Sequence, residues 1–168
     1  MNNLFEKRRS NRFLSNKPLK EEEKQSILRA GELAPIALGK YGDIILNIFE
    51  GEELEKLKKV YKETLNRDIY YDGSFFVLVT QKDAPIQLSN QNAGAIIENM
   101  LLEATELNIG SVFIFQPVRG ALEYPNLMKA LKVEEGYTPI SGAIFGYKTS
   151  EEVRPLIHEI KKNYINNK

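Results

Sequence analysis

The sequence predicts a fold of helices and strands in which helices cover a β-sheet, and three observations lead to that prediction. The chain has 168 residues, enough for one domain with a single hydrophobic core, and we expect that domain to span residues 1–168. Four short apolar runs are rich in β-branched and aromatic residues, as buried strands are. Amphipathic segments of helical period separate these runs, so strands and helices alternate along the chain.

The four predicted strands are short and are bounded by glycine or by turn residues. The first, 44–49, is crowded with isoleucine and is too short for a core helix. The second, 75–79, follows the turn signal Asp72-Gly73. The third and fourth are predicted at 112–115 and 139–146. The spacing of apolar residues does not give the directions of these strands.

Five amphipathic helices are predicted between and after the strands. The first begins after Pro18, where Glu21–Glu23 complement the helix dipole, and it ends at Pro35. The clearest helix, 89–107, keeps a 3.6-residue apolar period, and Gly110 follows it in the place of a C-terminal cap. The other predicted helices cover 52–65, 121–131 and 151–164.

Composition excludes several classes of function. The 23 Lys and Arg residues balance 23 Asp and Glu residues, so the chain lacks the strong positive field of a nucleic-acid binder. With no cysteine and one histidine, His158, neither a thiolate nucleophile nor a multi-histidine zinc site is available, and we expect no metal. No signal peptide and no apolar run of about 20 residues is present, so we expect a cytoplasmic protein that does not bind membranes.

The common catalytic and nucleotide-binding motifs are absent from the sequence. His158 lies on a polar helix beside Glu159, and no Gly-x-Ser-x-Gly elbow accompanies it, so a serine-hydrolase triad is not indicated. Neither the P-loop pattern nor the Gly-x-Gly-x-x-Gly turn occurs. The glutamate runs sit at helix starts, where the helix dipole explains them.

A basic cluster near the N-terminus is the chemical signal that remains. Residues 1–20 hold six basic residues and one acidic residue. In an extended stretch, Arg8, Ser10 and Arg12 alternate and point the same way, so two guanidinium forks and a hydroxyl could bind one phosphate. The other interpretation of the cluster is a basic arm that is simply solvated.

Four stretches, taken in order and with their spacing, match a known family. They are Arg-Arg-Ser-Asn-Arg at 8–12, Ala-Gly-Glu-Leu-Ala-Pro at 30–35, the stretch from Asn92 to Ser111, and Gly-Ala-Ile-Phe-Gly-Tyr at 142–147. Through them the sequence resembles the FMN-dependent nitroreductase family over nearly its whole length, as a divergent short branch. The resemblance implies an α+β fold, a three-layer α/β/α sandwich around a central mixed, mainly antiparallel sheet.

The resemblance also implies that FMN binds at the subunit interface of a homodimer. In that case Arg8, Ser10 and Arg12 hold the phosphate, and Arg9 and Arg154 assist them.

Other residues would then contact the flavin ring. Asn66 occupies the position of a family asparagine that reaches the ring. The partner subunit would supply a loop that contains Pro35, Ile36 and Ala37. After the third strand, backbone groups would pass the reactive edge and donate a hydrogen bond toward N5; they belong to Phe113, Ile114, Phe115 and Gln116.

The implied activity is that of an FMN-dependent NAD(P)H oxidoreductase. NADH or NADPH delivers a hydride to flavin N5 and leaves, and a small flat acceptor such as a nitroaromatic or a quinone then takes the electrons. Because the flavin carries the chemistry, no catalytic side chain is expected.

One loop departs from the family pattern, and it leaves other functions open. The family loop reads Pro-Ser-x-x-Asn-x-Gln-Pro-Trp, whereas residues 35–43 read Pro-Ile-Ala-Leu-Gly-Lys-Tyr-Gly-Asp. The second hypothesis is therefore a flavin-binding protein without physiological nitroreductase turnover. A third is a protein-interaction domain whose basic arm is solvated.

Overall fold

A computed structural model describes residues 4–82, 85–151 and 160–162 of the chain. Ten helices and strands follow one another within these residues, and two single 3-10 turns, Ala37–Gly39 and Tyr41–Asp43, lie between α2 and β1. The elements are α1 (Leu4–Lys7), α2 (Glu21–Glu32), β1 (Ile44–Glu50), α3 (Gly51–Leu65), β2 (Phe75–Gln81), α4 (Ile86–Glu106), β3 (Gly110–Ile114), α5 (Gln116–Glu123), α6 (Pro125–Ala130) and β4 (Thr138–Gly146).

The four strands form one sheet in the order β1-β2-β4-β3, and each neighbouring pair is antiparallel. β2 and β4 occupy the centre, where Val77 lies opposite Ala143. An isolated bridge between Ser10 and Ser111 runs parallel at the β3 edge. The predicted central sheet, mixed and mainly antiparallel, is therefore confirmed.

Helices cover both faces of the sheet and give the predicted three layers. On one face, α2 and α4 pack against alternate residues of β2 and β4, including Phe75, Val77 and Phe145. On the other face, α3, α5 and α6 cover Phe76 and Ile144. This division follows from strand geometry, because successive side chains of a strand point to opposite faces. All seven residues of β2 are buried, which explains its continuous apolar run.

The predicted strands and the first three predicted helices are present, and their ends differ by a few residues. α4 begins three residues earlier than predicted, at Ile86, because the polar residues 89–92 interrupt the apolar period ahead of Ala93. β3 begins at Gly110 and not at residue 112. The expected cap role of Gly110 is wrong: Asn108 takes the left-handed conformation after α4, with φ of 58°. Asparagine tolerates that conformation better than most residues do.

The helix predicted at 121–131 is in fact two helices. α5 starts at Gln116 because Pro117 falls in the first helical turn, where the missing proline N–H costs no hydrogen bond. Tyr124 then adopts an extended conformation ahead of Pro125, as a residue before proline tends to do. This break separates α5 from α6. The helix predicted at 151–164 lies mostly outside the described residues, and its described residues, 151 and 160–162, are not helical.

Candidate functional site

Residues 8–15, which we call the N-terminal arm, run along the β3 edge of the sheet. The Asn11 amide donates a hydrogen bond to the Ser111 carbonyl at 3.1 Å, beside the parallel bridge of Ser10. Further along, the Ser15 amide donates to the Tyr147 carbonyl at 2.9 Å. The basic cluster thus lies on a segment that backbone hydrogen bonds fix to the sheet.

Two glycines form the place where the arm crosses the sheet edge. Gly110 and Gly146 pair with each other at the start of β3 and the end of β4. A Cβ on Gly110 would lie 2.5 Å from Leu14 Cδ2, and a Cβ on Gly146 would lie 2.9 Å from the Ser15 carbonyl oxygen. Because a side chain at either position would collide with the arm, these glycines allow its close approach.

The three guanidinium groups of the arm have different partners. Arg8 Nε lies 3.2 Å from Glu98 Oε1 of α4. Arg9 folds back on the chain, donating to the carbonyls of Glu6 and Arg8. Arg12 donates to the Ser10 carbonyl at 3.3 Å, and its guanidinium carbon lies 5.8 Å from the centre of the Tyr71 ring. Four of the predicted phosphate ligands, Arg8, Arg9, Ser10 and Arg12, therefore lie on the docked arm, and its three guanidinium groups contact different partners.

The end of β3 presents two exposed aromatic side chains. Phe113 is 42% exposed and Phe115 is 50% exposed, whereas Ile114 between them is buried. Within β3, Phe113 is the one exposed residue. Phe115 occupies the N-cap position of α5, and Gln116 is the first residue of that helix. The backbone here turns directly from a strand into a helix, whose first N–H groups lack helical partners.

The segment Pro35–Asp43, which we call the 35–43 loop, is held by side chains. The Ala37 amide donates to Asn92 Oδ1 of α4 at 3.0 Å, and the Tyr41 hydroxyl donates to the Ala34 carbonyl at 3.1 Å. Ile36 is buried and lines an apolar cavity of about 220 Å³. Leu38 at the tip is 81% exposed and left-handed, with φ of 60°.

Asn66 lies at the C-terminal end of α3 in a left-handed conformation, with φ of 52°, and is exposed. The turn after it reaches the arm through Tyr71. Arg154, the remaining predicted phosphate ligand, lies outside the described residues.

The arm ends beside a tyrosine whose titration is perturbed. Tyr147 donates a hydrogen bond from its hydroxyl to Glu23 Oε2 at 2.6 Å, and this bond raises the pKa of Tyr147 above its usual 10.0. Lys17 Nζ lies 5.2 Å from the centre of the same ring. Tyr147 therefore contacts both the arm, through the Ser15 amide, and the first turn of α2, through Glu23.

Comparison with known proteins decides the family. The model of the nitroreductase family matches residues 39–147. The chain belongs to the nitroreductase family. Membership gives its coarse functional class, an oxidoreductase. No curated protein sequence matches the chain.

Solved structures extend the likeness beyond the matched residues. A nitroreductase with bound FMN from Bacteroides fragilis superposes with a TM-score of 0.74 and 23% identity, covering 96% of each chain. A nitroreductase with bound FMN from Desulfitobacterium hafniense gives a TM-score of 0.78 and 18% identity, covering 99% of this chain and 100% of that one. At these identities the likeness shows the fold, which includes the arm and α2, N-terminal to the family match.

A metal site and a membrane-spanning helix are both absent from the residues that the structure describes. Within residues 4–82, 85–151 and 160–162, no group of three acidic or histidine side chains could hold a metal ion. Over the same ranges, no helix is long and apolar enough to span a bilayer.

Sequence reasoning missed the side chains that anchor the family's two irregular segments. Asn11 is buried and accepts a hydrogen bond from the Phe13 amide at 2.9 Å. Asn92 is buried and binds both Ala37 and Gln81. The signal for Asn92 was present in the sequence, because it lies four residues before Ile96, on the apolar stripe of α4. A polar residue on such a stripe indicates a buried hydrogen-bond partner.

Proposed function

We propose that this chain is a homodimeric, cytoplasmic FMN-dependent oxidoreductase, with one domain over residues 1–168. NADH or NADPH is the donor, and electron-poor molecules such as nitroaromatics or quinones are the acceptors. The observation that carries the proposal is that a cationic arm lies along the edge strand β3 and an exposed aromatic pair, Phe113 and Phe115, lies at the end of that strand, in a nitroreductase-family fold.

The arm fits the phosphate end of FMN. Arg8 is partly exposed (29%), as is its partner Glu98 (46%), so the ion pair contributes at most about 1 kcal/mol. A guanidinium binds phosphate through two charge-assisted hydrogen bonds, which are stronger than an exposed pair. A phosphate can therefore replace Glu98 as the partner of Arg8 and can also bind Arg12. The arm keeps its backbone hydrogen bond to Ser111 when this happens.

The end of β3 fits the ring end of FMN. Phe113 and Phe115 offer apolar surface to a flat ring system and exclude water from it. Pro117 has no N–H, which leaves the Gln116 amide as a donor in the first turn of α5. When bound, FMN supplies the two-electron chemistry, and the chain binds and orients it.

The 35–43 loop supports both the dimer and the second hypothesis. In a homodimer, Pro35, Ile36 and Ala37 approach the flavin of the partner subunit, and the exposed Leu38 lies next to them. The same loop lacks the polar side chains of the family pattern, and this favours a flavin-binding protein without physiological turnover as the alternative. Yellow protein that oxidises neither NADH nor NADPH with any quinone or nitro acceptor would select that alternative.

The test is a visible absorption spectrum of the purified protein with FMN, together with gel filtration. Replacing both Arg8 and Arg12 by Ala removes two charge-assisted contacts, so we expect FMN affinity to fall about 100-fold while the fold persists. Flavin fluorescence titration measures the affinity, and circular dichroism measures the fold.

The matched control replaces Arg29 and Lys59 by Ala. It removes the same net charge from exposed helical ion pairs outside the arm. FMN affinity should stay within about twofold of the parent protein, because screening weakens distant surface charges. A protein that stays colourless with excess FMN, or equal losses in the two double variants, refutes the proposal.

A further inference from the structure

A buried tyrosine of α3 binds the start of α5. Tyr61 has no exposed surface, and its hydroxyl donates a hydrogen bond to the Pro117 carbonyl oxygen at 2.6 Å. Burial raises the pKa of Tyr61, so the hydroxyl keeps its proton and remains a donor at neutral pH. The bond joins residues that are 56 positions apart in the chain.

The Tyr61 ring is held in place by its neighbours. It meets the Tyr70 ring edge-on, with centroids 5.6 Å apart, and Tyr70 in turn meets Phe76 of β2 at 5.2 Å. On the side of α5, a Cβ on Gly120 would lie 3.3 Å from Tyr61 Cε1. The helix therefore lies directly against the ring, and the hydroxyl has a fixed position relative to the sheet.

The acceptor carbonyl belongs to the segment that leads from β3 into α5. Pro117 follows Gln116, and β3 ends three residues earlier, at Ile114. Phe115, at the N-cap position, has no polar side-chain atom that could fix the helix start. The carbonyl has two lone pairs, so it can accept the tyrosine hydroxyl in addition to a helical N–H.

We propose that the Tyr61 hydroxyl is a positioning group for residues 113–116, holding the start of α5 so that the backbone there keeps a fixed distance to the bound flavin. The inference rests on the proposed function, which assigns the flavin edge to this segment. Tyr61 touches neither flavin nor substrate; it acts through Pro117. Its loss leaves the flavin bound but lets the Gln116 amide move relative to it.

The chain offers a matched control in Tyr70. Tyr70 is equally buried, at 1% exposed, and its hydroxyl has no hydrogen-bond partner among the residues that the structure describes. Tyr61→Phe and Tyr70→Phe each remove one buried hydroxyl from the same aromatic cluster. Only Tyr61→Phe removes a bond to α5.

The first measurement uses the flavin-free protein. Exchange of the Arg119 amide, which donates to the Phe115 carbonyl at the start of α5, should accelerate about tenfold in Tyr61→Phe and stay unchanged in Tyr70→Phe. The second uses the FMN-loaded protein, in single-turnover reduction by NADH or NADPH followed at the flavin absorption band. We expect reduction about tenfold slower in Tyr61→Phe, with FMN affinity and KM for the donor within about twofold, because small misplacements reduce rate more than binding.

Each result decides the inference. A yellow parent protein in which Tyr61→Phe behaves like Tyr70→Phe overturns it and leaves the proposed function standing. A parent protein that binds no FMN overturns both. If Tyr61→Phe does not fold, Gly120→Ala takes its place: the new methyl would lie 2.9 Å from Leu127 Cδ1 and 3.3 Å from Tyr61 Cε1, so it should push α5 away from the ring and slow reduction in the same direction. Unchanged reduction in a folded Gly120→Ala variant would then count against the positioning role.

Discussion

The N-terminal arm and the 35–43 loop are both irregular, both are expected to contact flavin, and each depends on one buried asparagine. They differ in the groups that anchor them to the rest of the structure. The arm binds the sheet through backbone groups, from Asn11 to Ser111 and from Ser15 to Tyr147. The loop depends on side chains, from Asn92 to Ala37 and from Tyr41 to Ala34.

This difference explains which of the two segments keeps the family pattern. Backbone hydrogen bonds are available to almost any sequence, so the position of the arm on β3 places little demand on the side chains of Arg8 and Arg12. The loop has Ile36, Gly39 and Tyr41 where the family pattern has Ser, Asn and Gln, and α4 holds it through Asn92. A segment anchored by a neighbouring helix can change its own sequence without losing its position.

The largest expected effect compares the two asparagines. Asn92→Ala removes a hydrogen-bond partner from the buried Gln81 side chain and from the Ala37 amide. We therefore expect a loss of about 2–3 kcal/mol in the free energy of unfolding. Asn11→Ala frees groups of Phe13 and Ser150, two exposed residues where water can replace the asparagine, so the loss should be about 1 kcal/mol. Urea unfolding of the two variants measures both losses.

Hydrogen exchange locates the damage. In Asn92→Ala the Ala37 amide should lose protection, while the Asn11 amide on Ser111 should keep it. Equal destabilisation by the two substitutions would show that the arm, too, depends on its side-chain anchor.

The sequence predicted a sheet covered by helices because burial leaves a record in it, as in the continuous apolar run of β2, whereas the three layers were implied by the family resemblance. The prediction from sequence failed where the record is weak or local rules override it. The polar residues 89–92 hid the start of α4 at Ile86, and the start of α5 at Gln116, with Pro117 in its first turn, was missed. Tyr124 before Pro125 split a helix that apolar spacing alone joins.

For the site, the sequence located the basic cluster and the aromatic strand end but not their partners. Glu98 and Tyr71 are 90 and 59 positions from the arginines that they meet, and no local pattern connects residues so far apart. Alternation along the arm predicted one shared direction for Arg8 and Arg12. The two guanidinium groups instead lie beside Glu98 and Tyr71, which belong to different parts of the fold.

The next effect on stability comes from backbone strain at Leu38, in the 35–43 loop. Leu38 is left-handed and makes little use of its side chain, since it is 81% exposed. Leu38→Gly removes the Cβ that disfavours this conformation, so we expect a gain of about 0.5–1 kcal/mol in unfolding free energy. Leu38→Ala keeps the Cβ and should give no gain. If Leu38→Ala gained as much stability as Leu38→Gly, the exposed leucine side chain, and not the left-handed backbone, would be what destabilises the loop.

The smallest expected effect is a pH dependence of stability that involves the arm, through Tyr147. The pKa of Tyr147 is raised mainly by its hydrogen bond to Glu23, so the folded state holds this proton more tightly than the unfolded state does. The contribution of the bond to stability is therefore complete below the usual tyrosine pKa of 10.0, falls as the unfolded state ionises, and is lost above the raised value.

Urea unfolding at about pH 8 and about pH 11 should show this loss in the parent protein, with a smaller loss in Tyr147→Phe. The hydrogen bonds of Asn92 to Ala37 and Gln81 join uncharged amides, which do not titrate in this range. Protection of the arm at the Ser15 amide should consequently weaken on the alkaline side before the Asn92–Gln81 contact does. If Tyr147→Phe lost as much stability as the parent between the two pH values, the arm would owe its place to the backbone bonds alone.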